Sequence, residues 1–178
     1  VSTVGVGITF KELMQPQDGV INASLSFFGI EGPGWLADPG MALFSVAIVD
    51  VWRGVGIATV IYLAGLAAIP QEYTEAALMD GATKLKKFRH ITLPLLFPAT
   101  STVIILSLIG GLRSFDLIWA MTKGGPGFAS DVLASIIFKQ YQAGFYGLST
   151  AGNVVLFIVV TAIVYPLNRW LNKREVDY

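Results

Sequence analysis

The sequence predicts an all-α integral membrane protein, and three observations support this fold class. Of the 178 residues, 54% are hydrophobic and only 13% are charged, whereas soluble domains contain about 25% charged residues. Three apolar stretches reach the length of about 20 residues that a helix needs to cross a bilayer. Lysine and arginine are concentrated in the connections on one side of these stretches, which is typical of membrane helices with a fixed orientation.

The first forty residues contain no complete span. Val1–Leu13 is apolar but too short to cross alone, so we expect it to be the end of an earlier membrane helix whose beginning precedes Val1. Residues 14–40 are predicted to form an outer loop, because proline and glycine interrupt every helical pattern there. Three aromatic residues of this loop are expected at the membrane surface, where such rings are favoured: Phe27, Phe28 and Trp35.

Three complete spans are predicted after this loop, and each has an identifiable boundary or interruption. Pro70 ends the first, Arg113 and Asp116 interrupt the second, and Pro166 is expected to bend the third. The spans cover 41–69, 95–122 and 148–171.

The distribution of cations predicts which connections face the cytoplasm. The loop at 70–94 contains four lysines or arginines, and the C-terminal end, with its tail at 172–178, contains three. The outer loops contain only Lys11, Lys123 and Lys139. Because cytoplasmic connections carry the excess of these residues, the 70–94 loop and the C-terminus are predicted to be cytoplasmic. Three spans require these two segments to be on the same side, which agrees with the charge count.

The second outer loop, 123–147, is predicted to contain a short helix that lies in the membrane interface. It opens with the turn-forming sequence GGPG. Val132, Ile136 and Ile137 then share one helical face, whereas Lys139 points elsewhere.

The motifs that catalysis or cofactor binding requires are missing from the sequence. It has no cysteine and no glycine-rich phosphate loop, and its only histidine, His90, has no second histidine nearby. No Ser/His/Asp set can be assembled on one side of the membrane. We therefore predict a non-catalytic protein that holds no cofactor or metal and has no nucleic-acid partner.

The 70–94 loop is predicted to be a docking helix followed by a turn. Glu72 and Glu75 lie in the first turns, where the helix dipole favours acids. Ala76 and Ala77 leave one face nearly bare, so another protein can approach it closely. Gly81 can end the helix in a left-handed conformation. An apolar ridge is expected to pack against the chain's own membrane helices: Leu78, Leu85 and Phe88. The alternative interpretation is a solvated loop with ordinary capping.

The spacing within this loop resembles the EAA signature of permease subunits of ATP-binding-cassette importers. Glu75-Ala76-Ala77 is followed after three residues by Gly81, and after nine more by Ile91-Thr92-Leu93-Pro94. The segments Asn22–Pro39, Leu63–Ala82 and Arg113–Pro126 are similar to the carbohydrate-uptake subfamily, whose members include maltose and glycerol-phosphate permeases.

The resemblance implies an architecture, a set of partners and a coupling site. The fold would be a type I importer permease with a six-helix core, of which this chain contains the last half to two-thirds. The partners would be a second permease subunit, two ATP-binding subunits that bind ATP and Mg²⁺, and an extracytoplasmic sugar-binding protein. The EAA loop would insert into a groove on the ATPase, with Glu75 as the ionic contact. The coupling residues would be Glu75, Ala76, Ala77, Asp80 and Gly81.

Two polar stripes near the membrane midplane are candidates for the substrate pathway, because transporter sites tend to lie at that depth. The first stripe is Asp50, Arg53 and Gly54; the second is Ser107, Gly111 and Ser114. Their residue types offer hydroxyl partners and space for a sugar. Alternatively, the acid–base pairs Asp50–Arg53 and Arg113–Asp116 neutralise each other, and the small residues only allow close helix packing.

Two other functions are compatible with these features. A membrane scaffold would use the loop to recruit a soluble protein without moving solute. An ion-coupled secondary transporter would give the EAA spacing no role.

Overall fold

The structure of the protein, a computed structural model, describes residues 2–174. Within this range the chain forms helices and no strand, which confirms the predicted all-α class. The helices are α1 (Thr3–Leu13), α2 (Val20–Phe27), α3 (Pro39–Ala67), α4 (Gln71–Met79), α5 (Lys84–Lys87), a π-helical turn (Phe88–Thr92), α6 (Leu93–Leu95), α7 (Phe97–Leu112), α8 (Asp116–Met121), α9 (Leu133–Gln142) and α10 (Tyr146–Asn172).

Among residues 2–174, two helices are long and apolar enough to cross a membrane. They are α3, with 29 residues, and α10, with 27 residues. Most of their large apolar side chains are exposed, as expected of helices that face lipid. A third span exists if the segment Lys84–Leu95 and helix α7, which meet at a bend of 58°, are counted as one.

The predicted second span differs from the structure, because residues 95–122 do not form one continuous helix. Helix α7 has 16 residues, about 24 Å at 1.5 Å per residue, which is shorter than the hydrocarbon core of about 30 Å. It ends at Leu112, and Phe115 has backbone angles of −138° and −58°, outside the helical region. Gly110 and Gly111 weaken the helix just before this break.

The described residues fall into two compact units. The first contains the residues up to Arg53 together with Leu112–Val159, and the second contains Gly54–Gly111 together with the residues from Val160.

The first unit has an apolar core in which α1, α3 and α8 meet. Its fully buried members are Val6, Met14, Val46, Val49, Leu117, Ile118 and Met121. Gly7 allows the close approach of α1 and α8, because a Cβ atom there would lie 2.7 Å from the Cβ of Ala120. This core gives α1 a packed position.

The loop at 14–40 is more ordered than its glycines and prolines suggest. It contains helix α2, and the Trp35 indole Nε1 donates to Asn22 Oδ1 at 2.6 Å. The buried Ser45 hydroxyl of α3 donates to the Trp35 carbonyl at 2.7 Å. Trp35 therefore packs on the core of the first unit. Phe27 and Phe28 are exposed, by 87% and 76%.

The loop at 123–147 is fixed by a polar network. The side chain of Asp131 is only 5% exposed, and its Oδ2 accepts from Lys139 Nζ at 2.6 Å. Its Oδ1 accepts from the Ser135 hydroxyl at 2.7 Å. Lys139 of α9 is therefore held in this network, and Ile136 is 45% exposed. Ile137 is buried, where a Cβ atom on Gly152 would contact it at 2.7 Å.

In the second unit, α3 packs closely on α7. A Cβ atom on Gly65 would lie 2.8 Å from the Cβ of Ala99 and 3.1 Å from Cδ2 of Leu96. Small residues at such crossings let the helix backbones approach, which is the usual packing mode of membrane helices.

Candidate functional site

The predicted docking segment forms a helix with a specific termination. Helix α4 begins at Gln71, and Pro70 occupies the N-cap position immediately before it. At the other end, the Gly81 amide donates to the Leu78 carbonyl at 3.0 Å and the Ala82 amide donates to the Ala77 carbonyl at 2.9 Å. These two bonds form a Schellman motif, with Gly81 at φ +69°. The glycine of the signature is therefore the left-handed residue that ends the helix.

A second helical piece follows the turn and leads to α7. The Thr83 hydroxyl accepts from the Lys86 amide at 3.4 Å and caps α5. The helix then widens into the π-turn Phe88–Thr92, which continues into α6. The Nδ1 atom of His90 lies 3.0 Å from the Lys86 carbonyl oxygen, so this imidazole contacts the local backbone.

Most of the docking segment is exposed, including three apolar side chains that were predicted to be packed. Leu78, Leu85 and Phe88 were expected to pack on the chain's own membrane helices, but they are 64%, 75% and 51% exposed. Ala77 is the buried residue of α4, at 7%. The small size of Ala77 lets the helix lie against the protein, and the large apolar side chains point away from it. Glu75, Ala76, Asp80 and Gly81 are also exposed.

The first pathway stripe is partly engaged in an ion pair. The Arg53 guanidinium donates to Asp50 Oδ1 at 2.8 Å and to the Thr3 hydroxyl at 2.7 Å. This pairing is the neutralising arrangement that the i, i+3 spacing allows. Next to it, a Cβ atom on Gly54 would meet no atom within 4 Å, so this side of α3 is open.

The second stripe is interrupted by the helix break. Ser107 and Gly111 lie on one side of α7, and a Cβ atom on Gly111 would meet open space. Ser114 lies beyond Leu112, the last residue of α7, so it does not continue the stripe as the sequence spacing suggested.

The other predicted intramembrane pair does not form. Arg113 and Asp116 are both exposed, and within the described part of the chain the only ion pairs join Arg53 to Asp50 and Lys139 to Asp131. Because the break separates these residues, they are not on consecutive turns of one helix. A cavity of about 430 Å³ lies beside Arg113 in the first unit.

Several structural contacts were not predicted from the sequence. They include the bond from Arg53 to Thr3, the network around Asp131 and the bond from Trp35 to Asn22. These contacts connect residues from 8 to 50 positions apart, and no local pattern indicates such pairs. Residues 2–174 contain no group of three or more His, Cys, Asp or Glu side chains that could hold a metal ion.

The long apolar helices α3 and α10 indicate a membrane-embedded protein, and the short exposed helix α4 ends at a left-handed glycine. The family model for the inner membrane component of binding-protein-dependent transport systems matches residues 8–176. The chain belongs to this family. The resemblance to the permeases of ATP-binding-cassette importers is thereby confirmed.

A curated relative supports the same assignment. The chain is 40% identical over 167 residues to the trehalose/maltose transport system permease protein MalF of Thermococcus litoralis. The match covers 93% of this chain and 57% of that protein. The chain therefore spans little more than half the length of this relative.

Solved structures confirm the fold. A chain of a bacterial ABC transporter involved in the import of the acidic polysaccharide alginate matches 97% of this chain, with a TM-score of 0.86 and 25% identity, over 61% of its own length. A chain of the bacterial alginate transporter in complex with an alginate pentasaccharide-bound periplasmic protein matches 95% of this chain, with a TM-score of 0.84 and 26% identity, over 59% of its own length.

Proposed function

We propose that the chain forms part of the transmembrane pathway of an ATP-driven carbohydrate importer and receives the energy through the EAA segment, residues 71–94. The names of its relatives support a carbohydrate substrate, since they refer to trehalose, maltose and alginate. In this proposal, ATP and Mg²⁺ are bound and ATP is hydrolysed by partner subunits, and this chain is not a catalyst.

The observation that carries the proposal is the surface of the EAA segment. Four large apolar side chains are at least half exposed within a stretch of eleven residues: Leu78, Met79, Leu85 and Phe88. Glu75 and Asp80 are exposed in the same segment. Large apolar side chains that are exposed close together in the chain are typical of a surface that binds another protein. Exposed apolar side chains beside acidic ones are better accommodated in a groove on a soluble partner than in water.

The remaining parts of the transporter are assigned by the same proposal. The 70–94 loop and the C-terminus face the cytoplasm, where two ATP-binding subunits dock. A second permease subunit forms the other half of the pathway, and an extracytoplasmic binding protein delivers the sugar. The pathway residues of this chain are Asp50, Arg53, Gly54, Ser107, Gly111 and Ser114.

The coupling role can be tested with two matched substitutions in the complete transporter. Glu75→Gln removes the proposed ionic contact, and Glu31→Gln makes the same change at an exposed residue of the outer loop. We expect Glu75→Gln to reduce sugar uptake and retention of the ATPase by at least about tenfold, since removing one partner of an interfacial charge pair costs roughly 2–5 kcal/mol. Glu31→Gln should leave both unchanged.

Uptake into proteoliposomes and co-purification of the ATPase measure these effects. Normal values of both for the Glu75 variant would show that the segment is not the coupling site. A complete complex that hydrolyses ATP but moves no labelled sugar would instead identify a membrane scaffold.

A further inference from the structure

Arg53 and Arg113 are in different situations. Arg53 is held by Asp50 and Thr3, so its charge is already compensated. Arg113 is exposed, and it makes no hydrogen bond or ion pair with any of the described residues. Arg113 is thus available to an anion from outside the chain.

Arg113 lies at a cavity whose walls combine aromatic and polar groups. The volume of about 430 Å³ is within the range of about 300–1,000 Å³ that small-molecule sites occupy. No acidic side chain is among the described residues that line it. The lining includes Arg113, Phe115, Phe138, Tyr141, Ser149 and Asn153.

One wall of the cavity is a fixed set of aromatic rings. The ring centroids of Phe115 and Phe138 are 5.0 Å apart, and those of Phe138 and Tyr141 are 6.5 Å apart. Trp119 packs behind them, with centroids 5.7 Å from Phe115 and 4.9 Å from Phe138. These contacts hold the rings in place before any ligand enters. Aromatic side chains that are held in this way can pack against the C–H face of a sugar ring.

The lining also includes hydrogen-bonding groups from α10. The Asn153 Nδ2 donates to the Ser149 carbonyl at 3.2 Å, which fixes the amide. The Oδ1 atom of Asn153 accepts no hydrogen bond from the described residues and can accept one from a ligand hydroxyl. Ser149 is 5% exposed beside it.

The cavity also lies at a helix interruption. Arg113 and Phe115 belong to the three residues that separate α7 from α8. Discontinuous membrane helices are a recurrent setting for substrate sites in transporters, because irregular backbone is tolerated at membrane depth where it lines a cavity. None of the six pathway residues proposed above lines this cavity.

We propose that this cavity binds an acidic glycoside, with the carboxylate on Arg113, the sugar ring on the Phe115–Phe138–Tyr141 wall and a hydroxyl on Asn153. A guanidinium and a carboxylate can form two parallel charge-assisted hydrogen bonds, which a neutral sugar cannot make. The inference rests on the proposed carbohydrate function and specifies its substrate as acidic. An anionic phospholipid is the competing occupant that the experiment must exclude.

The experiment uses the complete transporter in nanodiscs, without ATP and without the binding protein. The probes are methyl β-D-glucopyranosiduronic acid and methyl β-D-glucopyranoside, which differ only in the carboxylate. Saturation-transfer NMR measures their binding to the unmodified complex, Arg113→Gln, Arg113→Lys and Arg169→Gln. Arg169 is the matched control, because it is also exposed and lies near the C-terminal end of α10. The cavity residues Ser149 and Asn153 lie near the N-terminal end of the same helix.

The acidic probe should bind about tenfold more tightly than the neutral probe to the unmodified complex, and Arg113→Gln should abolish this difference. Arg113→Lys should retain part of it, since the charge stays but the fork geometry is lost. Arg169→Gln should retain all of it.

Equal binding of the two probes, or an unchanged difference in Arg113→Gln, would overturn the inference. So would a phospholipid that native mass spectrometry finds on the unmodified complex and not on Arg113→Gln, because a lipid would then occupy the cavity. The proposed function would survive these outcomes if ATP still drove uptake of a neutral sugar, and it would fail separately if no sugar were taken up.

Discussion

At the residue scale, the conformation of Gly81 decides how helix α4 of the EAA segment ends. Its φ of +69° lies in the left-handed region, and both Schellman bonds depend on that conformation. A Cβ atom at this position would meet open space. The requirement for glycine is therefore conformational and not steric.

Gly81→Ala should strain the turn by about 1–2 kcal/mol, whereas Gly81→Asn should be milder because asparagine tolerates left-handed angles. We expect coupled uptake to fall in the order glycine, asparagine, alanine, as measured in proteoliposomes. An alanine variant as active as the asparagine variant would show that backbone strain here does not affect coupling.

Asp131 is a second position where one residue determines the local structure. Lys139→Met removes the partner of a carboxylate that is only 5% exposed. The cost should be about 2 kcal/mol, below the roughly 3–5 kcal/mol of a fully buried pair, because the Lys139 side chain is 30% exposed. Hydrogen exchange of the backbone amides of 124–131 should accelerate accordingly.

Lys123→Met is the matched control, since Lys123 is exposed and has no ion pair within the described residues. Equal acceleration in the two lysine variants would indicate a general effect of charge instead of the loss of the Asp131 pair.

At the element scale, the crossing of α3 and α7 depends on one glycine. Gly65→Ala would place a methyl group 2.8 Å from the Cβ of Ala99, and such overpacking costs about 1–3 kcal/mol. The same substitution at Gly56, where no atom lies within 4 Å, should cost nothing. Thermal inactivation of the detergent-solubilised complex should therefore occur at a lower temperature only for Gly65→Ala. Similar midpoints for both variants would show that the crossing has room for a methyl group.

The α7–α8 break shows what the sequence could and could not predict about the elements. The helices α3 and α10 follow from apolar length, and α4 follows from its acids and from Gly81, because these signals are local. The break at Arg113–Phe115 has no proline, and α8, which follows it, packs on α1 where Gly7 approaches Ala120. Contacts between residues more than a hundred positions apart leave no periodic signal in a single sequence.

At the scale of the whole molecule, the family and the fold could be predicted, because the spacing from Glu75 to Pro94 is specific. The orientation of the side chains at the candidate sites could not be predicted from the sequence. Sequence spacing treats Asp50–Arg53 and Arg113–Asp116 alike, and the structure pairs only the first. It also assigns Leu78, Leu85 and Phe88 to an internal contact, because an apolar side chain on its own does not indicate which protein it packs against.

The exposed apolar side chains of the EAA segment have a consequence for the life of the protein in the cell. Leu78, Met79, Leu85 and Phe88 resemble the surface of an unfolded chain until another subunit covers them. In the proposed arrangement, a permease without its ATPase presents them to the chaperones and proteases that survey the cytoplasm. Its abundance would then be limited by the supply of the ATPase, and an imbalance in synthesis would be corrected by degradation of the unassembled subunit.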